Sequence, residues 1–345
     1  MAFDGSVKRL GFACKYMHPD QSQSKRILEE IQRPLNTKTT TVAWLNRQSR
    51  DDAEQRLWDL MVHNIESVRR LIEYVGTQPE DLRMVRLGSD LLPVYTEPSW
   101  SYFWSKPDVL DYCSKHFARV GELARSLDVR LSFHPGQFCV LASDNPDIVK
   151  RSVEEFEYHA DMARWMGYGQ TFQDFKINVH ISGRQGPSGI KQIIPRLSTE
   201  ARNCITIEND EMSWGLDASL ELVEHCALVL DIHHHWIRDE EYISATDDRV
   251  LKLIDSWRGV RPVIHYSYSR DEHLCAFPNT SGGLLDIKRL LGSGAKKQKL
   301  RAHSDYYPNI QVNEWALSFR DNFDIMCESK AKNLATLKLY EQATA

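Results

Sequence analysis

No stretch of about 18 uninterrupted apolar residues occurs anywhere in the chain, which excludes a membrane-spanning helix. The first 14 residues, MAFDGSVKRLGFAC, carry no apolar core of signal-peptide length, so the sequence predicts a protein that is not secreted. Cysteine is sparse and unpatterned. Cys14, Cys113, Cys139, Cys204, Cys226, Cys275 and Cys327 form no C-x-x-C pair, and the odd count of seven predicts reduced thiols in a cytoplasmic protein. There is no low-complexity tract, no repeat of 20–50-residue period and no recognisable linker. Nor is there a basic balance: the net charge of -5 argues, taken alone, against a nucleic-acid partner. What is abundant is histidine, with 13 in 345 residues.

Eight short aliphatic runs alternate with longer amphipathic segments. The runs are residues 9–14 (RLGFAC), 84–89 (MVRLGS), 129–134 (VRLSFH), 176–181 (KINVHI), 204–209 (CITIEN), 228–233 (LVLDIH), 262–267 (PVIHYS) and 323–328 (FDIMCE). Residues 51–75 place Leu57, Leu60, Met61, Asn64, Val68, Leu71 and Ile72 on one helical stripe. Segments 108–127, 146–166, 216–226, 246–257 and 330–341 behave alike. Near-continuous apolar strands separated by helices imply a parallel sheet covered by helices. Eight such units predict one α/β domain over 1–345, a closed (β/α)8 TIM barrel, with an open doubly wound sheet as the competitor. The polar, glycine-bearing stretch 274–305 between the last two runs is expected to be a functional insertion.

Six consecutive runs carry metal-ligand residue types at or near their ends. They are His134, His180, Glu208, the pair Asp231 and His234, His265, and Glu328. In a TIM barrel the C-terminal strand ends ring one mouth, so these groups are expected to converge. Alone, each has a plain structural explanation: a strand-end histidine is ordinarily a hydrogen-bonded rim residue, and Asp231 is a natural helix N-cap. Together they are costly to bury without partners or a metal. Mixed imidazole and carboxylate donors suit Zn²⁺, Mn²⁺ or Fe²⁺. Their number exceeds the three or so protein ligands of a single catalytic ion, so two or three divalent ions are expected, with Glu208 bridging. Such clusters serve phosphodiester hydrolysis.

Three further features bear on a partner. His303, followed by Asp305, lies in a loop that opens on the same mouth, and is preceded by KKQKLR with Lys296, Lys297, Lys299 and Arg301, candidates for a phosphate clamp. The loop 182–189 (SGRQGPSG) offers backbone N–H groups to phosphate. The turn after His134 projects Gln137 and Phe138, a pair suited to wedging into a base stack.

The segments RLGFAC, TTTVAWLNR, RLGSDLLP, SFHPGQF, NVHISG, TIENDE, LDIHHH, VIHYSYS, AHSDY and DIMCESKAK, in this order, resemble the UV damage endonuclease family from Arg9 to about residue 332. The resemblance implies a TIM barrel related to endonuclease IV and incision 5′ to UV photoproducts in damaged double-stranded DNA, leaving a 3′-hydroxyl and a 5′-phosphate. It implies the ligands His134, His180, Glu208, Asp231, His234, His265, His303 and Glu328, with Mn²⁺ first and Zn²⁺ or Co²⁺ as alternatives. Glu208, His134, His265 and Glu328 are the expected catalytic set. Phe12, Tyr16, Gln137 and Phe138 are expected at the lesion. A monomer is expected, with neither a membrane nor a nucleotide cofactor as partner. The chain departs from the family pattern in having Val263 where a lysine is common, Phe12 and Tyr16 for Tyr and Asn, Phe138 for Tyr, and Glu97 for His; Lys330 is nearby in sequence but follows the eighth run. An abasic-site endonuclease and a metal-dependent sugar isomerase are the rival readings.

Overall fold

The computed structural model describes residues 7–274 and 283–344. Eight strands close into a parallel barrel in sequence order: β1 (Leu10–Ala13), β2 (Met84–Arg86), β3 (Arg130–Phe133), β4 (Lys176–His180), β5 (Ile205–Glu208), β6 (Ala227–Asp231), β7 (Val263–Tyr266) and β8 (Asp324–Cys327). Closure is made by β1 against β8, with Leu10 opposite Ile325 and Phe12 opposite Cys327. This is a single (β/α)8 TIM barrel. Each of the eight aliphatic runs marks one strand, with β6 beginning one residue before its run, because a strand covered on its outer face by helices must be apolar there. The stripe read from residues 51–75 belongs to the helix Arg50–Gly76, where Leu57, Leu60, Met61, Val68 and Leu71 are all buried. Ser49 caps it, its side chain accepting from the Asp52 N–H.

Run six differs in one respect. The strand ends at Asp231 and a helix, Ile232–Asp239, begins at once, with the Asp231 side chain accepting from the His234 N–H as its N-cap. The three histidines therefore sit on a helix and fan apart. His233 is held between the hydroxyls of Ser267 and Ser269, at 2.7 and 2.9 Å. His235 turns outward to Asp239 and Glu241. His234 alone faces the mouth.

Strand alternation sends every second side chain inward, and here much of the inner face is polar. Three contacts join strands that are not neighbours and so cross the interior. Arg130 of β3 reaches Asp324 of β8 at 2.7 Å, Lys176 of β4 reaches His265 of β7 at 2.8 Å, and Arg86 of β2 pairs with Glu328 beyond β8. The floor is an ion cluster. Asp324 also accepts from Arg261 Nε at 2.8 Å and from the Arg9 N–H at 2.9 Å.

Among the described residues no helix is long and apolar enough to cross a membrane. Six cysteines are free thiols, five of them buried; Cys275 lies outside the described residues, as does 275–282 of the expected insertion. Where described, the insertion forms two short helices, Ile287–Gly292 and Lys297–Leu300.

Candidate metal centre

The C-terminal mouth gathers histidines and carboxylates around one buried side chain. Glu208, at the end of β5 and 1% exposed, has His265 Nδ1 at 3.0 Å, His134 Nε2 at 3.3 Å, His234 Nδ1 at 3.7 Å and His180 Nε2 at 3.9 Å. Glu328 Oε1 lies 3.3 Å from His265 Nδ1, and Asp231 Oδ2 lies 3.7 Å from His234 Nε2. The rings of His134 and His180 stand 5.0 Å apart, and those of His180 and His234 5.4 Å apart. Four sets of three donors lie close enough to share an ion: His134 with His265 and Glu328; His134 with His180 and Glu208; His180 with Glu211 and His234; Glu208 with Asp231 and His265.

The electrostatics fit a cation. Burial would push the Glu208 carboxyl up, but His265 and His180 beside it bring it well below the usual carboxylate range. Burial raises Asp231, reinforced by Glu208 and Glu328 and opposed by His234. Its Oδ2 is buried with no hydrogen-bond partner. An orphaned carboxylate oxygen aimed among imidazoles costs free energy in the protein alone and is satisfied by a metal. The donors fit divalent ions of the Mn²⁺, Zn²⁺ or Co²⁺ type.

The donors are held from behind. Asn178 Nδ2 donates to Glu208 Oε2 while its Oδ1 accepts from the Thr206 hydroxyl at 2.7 Å. Asp210 Oδ2 lies 3.5 Å from His180 Nδ1, the Pro135 carbonyl lies 2.9 Å from His134 Nδ1, and the Asn209 carbonyl sits 3.0 Å from His234 Nδ1. Partners of this kind fix ring orientation. His265 Nε2 faces Lys176 Nζ; burial and the nearby Arg86 charge bring that ammonium down to about 7, against the pull of Glu208.

Placement of the other expected residues is uneven. His303 belongs to none of the four donor sets but lines the same cavity of about 220 Å³, with Gln137, Glu211, Arg301 and Glu328. Gln137 and Phe138 project from the turn, Phe138 at 85% exposure. Phe12 and Tyr16, by contrast, are buried. Phe12 is packed within β1, and Tyr16 meets the Tyr74 ring edge-on at 4.8 Å, so neither presents a free face to a lesion in this conformation. Of the basic run, Lys296 and Lys299 are exposed. Lys297 instead binds the Arg238 carbonyl and Glu240, both at 2.9 Å. Loop 182–189 packs rather than opens. Gly183 lies against the Ala142 backbone and Gly186 under the Trp214 ring, both at positive φ where a side chain has no room. Asp305 is exposed, away from the donors, beside Arg270. Glu97 lines a groove running past Gly136, and Val263 is buried. Lys330 is exposed; the lysine that touches a candidate ligand is Lys176.

Lys176, Asn178, Arg86 and Glu211 were not singled out from the sequence. Their signal was available: in KINVH the polar residues at 176, 178 and 180 share one face of a strand, the inward one.

A family model described as UV-endonuclease UvdE matches residues 8–344. The UV DNA damage endonuclease of Bacillus cereus (strain B4264) is 24% identical over 320 residues, covering 89% of each chain. That of Bacillus anthracis is 24% identical over 323 residues, again covering 89% of each. The crystal structure of SacUVDE shares the fold, with a TM-score of 0.71 at 21% identity over 96% of both chains.

Proposed function

The chain belongs to the UV-endonuclease UvdE family, and on that premise we propose that it nicks double-stranded DNA on the 5′ side of UV photoproducts, pyrimidine dimers and 6-4 photoproducts, by hydrolysis with two or three divalent ions, leaving a 3′-hydroxyl and a 5′-phosphate. The observation that carries this reading is the convergence of four histidines on Glu208, with Asp231 and Glu328 beside them. A single ion does not need so many donors; ions sharing a carboxylate do.

In this reading His134, His180, Glu208, Asp231, His234, His265 and Glu328 hold the ions, with His303 at the edge of the cavity. Mn²⁺ is the first candidate, Zn²⁺ or Co²⁺ the alternatives. When bound, such ions lower the pKa of a water and offset charge on the phosphate and the departing oxygen. The chain's own part is orientation. Asn178 and Asp210 hold Glu208 and His180, and Arg86 holds Glu328. Gln137, on the cavity wall, and Phe138, in solvent, fill the space vacated when damaged bases leave a stack that the lesion has already weakened. Lys296 and Lys299 contact the backbone without reading sequence. The molecule acts as a monomer in the cytoplasm.

The deciding experiment is incision of a duplex with one pyrimidine dimer, beside abasic-site and undamaged duplexes, with Mn²⁺ and with chelator. Metal-dependent nicking 5′ to the dimer is the expected result. Nicking of the abasic duplex alone makes it an abasic-site enzyme, and absence of any nicking removes the nuclease reading.

A further inference from the structure

Two arginines pair with carboxylates that line the cavity, and they are held differently. Arg86 stands behind Glu328, its side chain 13% exposed. Arg301 stands at the lip, 48% exposed, with its Nε 2.9 Å from Oε1 of Glu211, whose side chain is only 2% exposed. The pairing of a buried carboxylate with an open guanidinium is asymmetric. Glu211 cannot be left uncompensated at that depth, so it holds the root of the guanidinium in place. The Nη1 and Nη2 groups find no partner among the described residues. A guanidinium engaged only at Nε keeps the two-pronged edge that matches phosphate oxygens.

The backbone under Arg301 is fixed as well. Ser269 forms an antiparallel bridge with His303, its hydroxyl donates to the Leu300 carbonyl at 2.7 Å, and the Arg270 N–H donates to the Ala302 carbonyl at 3.0 Å. Arg301, which caps the helix Lys297–Leu300, and His303, two residues on, both line the cavity. The other cations of the basic run do not: Lys297 is engaged with Glu240, and Lys296 and Lys299 lie outside the cavity lining. Glu211 Oε2 is 3.5 Å from His234 Nε2, so the carboxylate joins Arg301 directly to the donor cluster.

From this we infer that Arg301 contacts the phosphodiester being cut, rather than flanking backbone, and that Glu211 is its positioning residue. The inference rests on the nuclease reading above and adds to it the residue that meets the scissile group. A phosphate entering a cavity lined by Asp210, Glu211 and Glu328 needs a cation on its solvent side, and Arg301 supplies it. Glu211 as a third donor beside His180 and His234 is the competing role.

A double-mutant cycle on the full chain separates them. Using a single-dimer duplex with Mn²⁺, Arg301→Ala lowers the single-turnover rate by about a hundredfold, the scale for losing one preorganised donor, with a smaller change in KM. Added guanidinium restores part of it, and Arg301→Lys restores little because it lacks the fork. Glu211→Gln lowers the rate by about tenfold, and adding it to Arg301→Ala costs nothing further. Metal content, measured by mass spectrometry, stays at the wild-type value in both. In chelator, Arg301→Ala reduces the salt dependence of duplex binding by about one phosphate contact. Wild-type rates in Arg301→Ala overturn the inference, as does loss of bound metal together with a multiplied defect in Glu211→Gln. Should the wild-type chain nick no DNA, the function above falls, while the salt-dependence and metal-content measurements still decide between the two roles of Glu211.

Discussion

Asn178 and Glu208 meet across the adjacent strands β4 and β5, the amide of one donating to the carboxylate of the other. Because the Thr206 hydroxyl fixes which end of the amide points at Glu208, the carboxylate has one orientation available while its other oxygen faces His265. Asn178→Leu removes that constraint without adding a charge. It is expected to weaken divalent-ion affinity about 10–100-fold, the usual cost of losing a partner behind a ligand. Titrating Mn²⁺ into chelated protein measures this directly, and an unchanged affinity would show that Glu208 is oriented by the histidines alone.

His134→Ala and Glu208→Ala are expected to abolish nicking of a dimer-bearing duplex while leaving the barrel folded. Glu208 holds four imidazoles together, and His134 takes part in two of the four donor sets. Far-UV circular dichroism and gel-resolved nicking at fixed Mn²⁺ check both halves of the statement.

Phe138 has little to lose by truncation in the free protein, since 85% of it is already in water. Phe138→Ala should therefore leave thermal stability within about 0.5 kcal/mol of wild type. If the ring stacks in the damaged duplex, its loss costs about 1–3 kcal/mol there. kcat/KM on the dimer duplex then falls by about tenfold to a hundredfold, with affinity for undamaged DNA unchanged. An equal loss on both duplexes would make Phe138 a general contact instead of a lesion probe.

At the opposite end of the barrel, Asp324 is fully buried and compensates Arg130 and Arg261 at once. Asp324→Ala leaves two guanidinium groups in the floor without their carboxylate, which is expected to cost about 3–5 kcal/mol. Chemical denaturation measures it. Native-like stability would mean that the carbonyls of Arg320 and Phe323, which also accept from Arg261, carry the charge by themselves.

The barrel was legible because its outer face is apolar in every strand and its mouth residues end the runs in order. A periodicity of strand and helix, together with the position of each donor, is local information. What was not legible depends on side chains meeting across the interior. Lys176 lies at the start of its run, far in sequence from His265, and only barrel closure brings them to 2.8 Å. Arg86 was passed over because a search for metal donors does not notice a cation, although the cation is what holds Glu328. Phe12 shows the converse: a residue read for its stacking chemistry is buried by its place in β1. In DIHHH the type of residue was informative but the element was not. The strand stops at Asp231 because that side chain caps a helix, and the cap is what separates His234 from its two neighbours.

The same junction sets a pH dependence for metal uptake. Burial works against a charged His234, but Asp231, Glu208 and Glu211 around it win, holding its proton up to about 10. Asp231 is itself raised by burial. Both groups thus bind a proton more tightly in the metal-free protein than in water, and an ion needs both deprotonated. The sign follows: uptake releases protons, so apparent affinity rises with pH across about pH 6 to 8, by up to tenfold per unit for each proton displaced. Calorimetric titration of Mn²⁺ in two buffers of different ionisation enthalpy counts the protons. His234→Ala should lower both the affinity and the number released; an affinity flat across that range would mean that His234 takes no part in holding the ion.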